Sequence, residues 1–194
     1  TGGISGNDYQ NHIVPFTPTC DNWHAESVAV ERESDAIQVR VVGSYDEAHG
    51  GFSLRFMGDG SVEVNYAFVV NRAINPRQWG VVFDAPARLD TLRWERRAQW
   101  TAYPDDHIGR PIGTARARAQ HRDGVEMPRM EMTSPWSLDT SDMGSNDFRS
   151  AKFHIQRASL TDADGQGFEI IPKGAESSLR AWIDGERTHV LVAG

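Results

Sequence analysis

The densest polar cluster in the 194-residue sequence is Asp105-Asp106-His107, which follows Tyr103-Pro104. Two carboxylates beside an imidazole are the material of a general base or a metal site. Glycoside hydrolysis asks for a carboxylate pair about 5 to 10 Å apart. An Asp after Pro is equally ordinary turn chemistry, and the turn is the reading adopted for this cluster. No serine stands in a Gly-x-Ser-x-Gly elbow, so nothing here resembles the strained turn that exposes a hydrolase nucleophile. Gly165-Gln166-Gly167 lacks the third glycine and the opening helix of a dinucleotide loop and reads as a hairpin turn. Cys20 is the single cysteine, which excludes an internal disulfide and a thiolate metal cluster. The chain is therefore expected to be non-catalytic, with no cofactor and no metal.

Six tryptophans point to a different chemistry. An indole offers a flat apolar face to the C–H face of a pyranose and an N–H donor at its edge. Trp94 ends an alternating run and is expected to be packed inside. Trp136 sits in Ser134-Pro135-Trp136-Ser137, within a long loop, where a large apolar side chain has no local purpose unless it docks or binds. Eighteen of the 20 basic residues are arginines, the lysines being only Lys152 and Lys173. Guanidinium forks suit carboxylates and hydroxyls. Trp136, Trp100, Tyr103, Asp105 and Arg97 are the candidate carbohydrate contacts. The formal net charge of −7 argues against nucleic acid and anionic membrane as partners. Arg116 and Arg118, with Arg110 and Arg122 nearby, read as a solvated strand face.

Strands must hold these residues in place. Val62, Val64, Tyr66, Phe68 and Val70 alternate with Ser61, Glu63, Asn65, Ala67 and Val69, the period of a half-buried strand. Phe52, Leu54 and Phe56 form a second run, and Gly58-Asp59-Gly60 joins the two as a hairpin. Shorter alternations mark Val28 with Val30, Ile37 with Val39 and Val41, Leu92 with Trp94, Phe168 with Ile170, and Leu179 with Ala181 and Ile183. Turn residues separate these runs and leave no room for a long amphipathic helix. About twelve short strands without helical crossovers must pair antiparallel and bury one face each. The expected fold class is all-β, a large antiparallel sandwich. Residues 1–24 read as a loop or linker segment packed on the domain, and 25–194 as one sandwich domain.

Several motifs then resemble, in order, the carboxy-terminal domain of β-galactosidase-type enzymes of glycoside hydrolase family 2. Tyr45-Asp46-Glu47-Ala48, Gly51-Phe52-Ser53-Leu54, the Asp59-Gly60 turn and Val64-Asn65-Tyr66-Ala67-Phe68 resemble its central hairpin. Trp94, Arg97, Tyr103 and Asp105 fall at the spacing of the family's Trp-Tyr-Gly-Arg-Gly-Pro segment and following Tyr-x-Asp. Ile108 to Gly113, Gly144 to Arg149 and Gly165 to Phe168 are similar to later segments. The resemblance runs from about residue 25 to the end. It implies a galactose-mutarotase-like supersandwich that accompanies a separate catalytic TIM barrel in one secreted or periplasmic polysaccharide-degrading enzyme. It also implies an alternative role for Arg97, Tyr103, Asp105, Asp147 and Arg149, as a structural network of hydrogen bonds and ion pairs. Three functions are consistent with these residues: a non-catalytic accessory domain that contacts glycan, a purely structural domain packed on the barrel, and an autonomous sugar-modifying enzyme of mutarotase-like fold. The last would require a base such as His107, His121 or His154.

Overall fold

The computed structural model describes residues 20, 22–72, 79–98, 110–117 and 152–194. Among them are twelve strands and no helix, arranged as three antiparallel four-stranded sheets. The chain forms two compact units, whose described parts fall within residues 20–72 and 79–194.

The first unit is a meander of β1 (His24–Arg32), β2 (Ala36–Ser44), β3 (Ala48–Met57) and β4 (Val62–Val70), paired in that order. Every alternating run expected before residue 72 is one of these strands. The predicted hairpin is β3–β4, in which Phe56 faces Val62 and Leu54 faces Val64. Its turn closes as Met57 N–H donates to the Ser61 carbonyl at 2.9 Å, and Gly60 takes a φ of 88° that a side chain would resist. Asp59 accepts from the Ser61 hydroxyl at 2.6 Å and from the Ser61 N–H at 2.9 Å. These bonds hold its carboxyl below the usual aspartate range, the hydroxyl contributing most.

The second unit is a sandwich. One sheet has the order β10 (Gly167–Ile170), β9 (Ile155–Thr161), β6 (Thr91–Arg96), β7 (Ile112–Arg116). The other has the order β5 (Gly80–Pro86), β12 (Arg187–Ala193), β11 (Ser178–Asp184), β8 (Lys152–Phe153). Leu92 and Trp94 from β6 and Ile155, Ala158 and Leu160 from β9 meet Leu179 and Ala181 from β11 and Val190 from β12 in one buried cluster. The Trp94 ring lies within this core, as the sequence leads one to expect, and its N–H donates to the Arg110 carbonyl at 3.1 Å. The ammonium of Lys152 stands 4.8 Å from the Trp94 ring centroid, in a site where the lysine is itself buried. A cation over an aromatic face is a stabilising contact there. Gly165-Gln166-Gly167 is indeed a hairpin turn, linking β9 to β10, with Asp162 accepting from the backbone N–H groups of Asp164 and Gln166.

Candidate binding faces

Two surfaces among the described residues have the character of interaction sites, and both follow from strand alternation. The first belongs to the sheet of the first unit. Cross-strand rows Val28–Val41–Phe52–Tyr66 and Val30–Val39–Leu54–Val64 lie on one face, followed by Ile37–Phe56–Val62 with Arg32 at the corner. The opposite face carries the rows Glu31–Gln38–Arg55–Glu63 and Ala29–Arg40–Ser53–Asn65. That polar face is internally bonded: Arg55 reaches Glu33 at 2.8 Å, and the Gln38 amide donates to the Ser53 hydroxyl at 3.0 Å.

Among the described residues, an aromatic cluster packs over one end of the apolar face. Trp23 packs tilted against Tyr45 and edge-on against Phe52 and Phe68, with ring centroids 4.9, 5.6 and 6.0 Å apart. Gly43 permits this, since a Cβ there would come within 2.7 Å of the Trp23 ring. Burial in this cluster pushes the Tyr45 phenol up from its ordinary pKa. Glu47, itself buried, ties the same end together by accepting from Arg72 at 2.6 Å and from the Cys20 N–H at 3.2 Å. At the other end the apolar side chains face solvent: Val28 is 61% exposed, Val30 62%, Ile37 43%, Phe56 42% and Val62 44%. From strand spacing and rise, three rows across four strands span roughly 400 Å². A contiguous apolar patch of that order commonly serves an interaction.

The second surface is the outer face of the β5–β12–β11–β8 sheet. Leu179, Ala181 and Ile183 point inward, so Arg180, Trp182 and Asp184 lie on the other side of β11. Register brings Trp182 opposite His189 and His189 opposite Asp84, a single row across three strands. The Trp182 and His189 rings stack 21° from parallel at 5.3 Å, an offset arrangement that aromatic pairs favour. His189 Nδ1 stands 2.7 Å from Asp84 Oδ1. An ionised carboxylate only accepts, so this nitrogen carries the proton and Nε2 remains as the ring's other polar atom. Arg187 Nη1 lies 3.3 Å from Asp84 Oδ2, and the Arg180 guanidinium carbon 5.8 Å from the Trp182 centroid. Arg187 is well exposed, Asp84 about half exposed, and the His189 side chain 19% exposed.

An aspartate holding a histidine by Nδ1 is also the orienting half of a catalytic triad, which further needs a nucleophile beside the other ring nitrogen. The neighbouring rows are Arg180–Leu191–Val82 and Asp184–Arg187–Pro86. Among the described residues these two rows hold no hydroxyl or thiol.

Of the carbohydrate contacts expected from sequence, Arg97 is described. It follows β6 as an exposed residue whose backbone N–H donates to the His154 carbonyl at 3.1 Å. Trp100, Tyr103, Asp105 and Trp136 lie outside the described residues, as do Asp147 and Arg149. The same holds for Asp106, His107, Arg118, His121 and Arg122. Arg116 ends β7 as an exposed residue, consistent with a solvated strand face. Asp84, Trp182, Arg187 and His189 are the residues that sequence reasoning did not single out. A signal for two of them existed: the Asp184-Gly185 turn fixes a register in which Trp182 must face His189. A scan against models of protein families matches none of them, and a search of curated proteins finds no match.

Proposed function

We propose that the chain is a non-catalytic accessory domain of a larger sugar-cleaving enzyme of the β-galactosidase type, joined to its neighbours through the bare apolar face of the first sheet. The neighbour is the catalytic barrel, or a domain beside it, in the same polypeptide. The observation that carries this reading is the exposure of Val28, Val30, Ile37, Phe56 and Val62 on a sheet whose opposite face is polar and internally bonded over the same rows, with Val42 and Val69 beyond them. Sheets with one apolar face require a second layer. The ordered motifs that begin at Tyr45 supply the identity of the proposed assembly, because their resemblance is to a domain that accompanies a barrel.

Hydrolysis in such an assembly is performed by the barrel's own carboxylates. The complete natural polypeptide is expected to cleave a nitrophenyl β-galactoside, and the 194-residue chain alone to leave it intact. Hydrolysis by the chain alone, abolished by substitution of one of its own acids, would overturn the reading. A second reading, in which the chain itself meets glycan, is favoured by the Trp182 row.

A further inference from the structure

We infer that the outer face of the β5–β12–β11–β8 sheet is a saccharide-binding site, centred on Trp182, His189, Asp84 and Arg187, that takes an uncharged pyranoside. The inference concerns a different surface from the docking face and holds whether or not that face is covered. It rests on the complementarity of two chemistries that the row brings together.

A pyranose has apolar C–H patches and a girdle of hydroxyls that both donate and accept. Trp182 and His189, nearly parallel and in contact, form an aromatic step whose negative π-face attracts the weakly positive C–H groups. Beside it, Asp84 has about four acceptor positions, of which His189 and Arg187 occupy two. The remainder can accept from sugar hydroxyls. Arg187 holds five donors and directs one at Asp84, so an adjacent hydroxyl pair can donate to the carboxylate while accepting from the guanidinium. Such charge-assisted bonds are about twice as strong as neutral ones.

Charge selects the class of sugar. At the row itself Asp84 is matched by Arg187, a local balance that offers an anion no net attraction. A uronate brought to the free side of Asp84 would meet its carboxylate at close range, and like charges there are repulsive. Because the side chains are already fixed by stacking and ion pairing, little rotamer freedom is lost on binding. A site whose exposed part is chiefly Asp84 and Arg187 still encloses few ligand atoms, which places the dissociation constant on the order of 1 mM for a monosaccharide.

The test is a titration of the isotope-labelled 194-residue chain, followed by amide chemical shifts, with methyl β-galactopyranoside, galactotetraose and galacturonate. Saturable shifts are expected at Trp182, His189 and Asp84 with the two neutral sugars, and galacturonate is expected to bind at least 5-fold more weakly. Asp84→Asn keeps the shape of an exposed side chain and should weaken neutral-sugar binding about 5-fold. Trp182→Ala should weaken it 10-fold or more, and Asn65→Ser, on the polar face of the first unit, should leave it unchanged. The absence of saturable shifts at this row with all three probes, tighter binding of galacturonate, or wild-type affinity in Asp84→Asn would each overturn the inference.

Discussion

The second unit contains its own interior, whereas the first presents to solvent much of what would be an interior. In the second unit Leu92, Trp94, Leu160, Leu179 and Val190 are all 1% exposed or less, because two sheets place their apolar faces against each other. In the first, an equally regular sheet has, among the described residues, only the Trp23 cluster packed on its apolar face. The alternation of Val28 to Tyr66 is as clear as that of Leu179 to Ile183, yet the same period produces a core in one place and an exposed patch in the other. Amphipathic strands specify which side must be buried, and they are silent on what does the burying.

The largest expected contrast is in stability. Trp94→Ala removes the biggest buried side chain, leaves Lys152 without its aromatic face, and should cost about 3 to 5 kcal/mol in chemical denaturation. Val30→Ala, at a 62% exposed position, should cost less than about 0.5 kcal/mol. Equal losses would remove the distinction between the two faces.

A second contrast lies within the first unit. Gly43→Ala drives a methyl group toward the Trp23 ring and the His24 carbonyl and should destabilise by about 1 to 3 kcal/mol. Its signature is a change in the near-ultraviolet circular dichroism of the Trp23 cluster. Val30→Glu with Ile37→Glu, at the bare end of the same sheet, should leave the denaturation midpoint of the isolated chain within error and reduce binding of a hydrophobic dye. In the complete natural polypeptide the same pair should prevent the proposed assembly.

Much of the strand layout is legible in the sequence. Alternation located β1 to β4, β6, β10 and β11, and the glycine turns located the β3–β4 and β9–β10 hairpins. What alternation cannot mark is a strand such as β5, where Val81, Val82 and Phe83 run without a polar break, or a pairing that closes over long separations. Asp84 reaches His189 across 105 residues, and no local pattern announces that partner. Trp182 could have been placed on the outer face from the inward set Leu179, Ala181 and Ile183 alone. A tryptophan inside a strand carries none of the loop context that singles out Trp136. Trp94 was legible for the opposite reason, since its row partner Leu92 shares its side of the sheet and both are buried.

The smallest expected effect concerns acid. Asp59 has a folded pKa below its unfolded one, so its contribution is complete above the unfolded value and is lost as pH falls through the folded value. Asp59→Asn should flatten the acid limb of the stability profile slightly, because the variant lacks at neutrality the small contribution that the wild type loses in acid. Unfolding curves of both proteins across the acidic range provide the check.

The central claim is that the bare face of the first sheet is an interface. Hydroxyl-radical footprinting of the chain alone and within its complete natural polypeptide tests it directly, read by mass spectrometry at Val28, Val30, Ile37, Phe56 and Val62. The account predicts heavy labelling of these side chains in the isolated chain and strong protection in the complete protein, with the polar-face residues Gln38 and Arg40 unchanged. Equal labelling of the five side chains in both forms would contradict it.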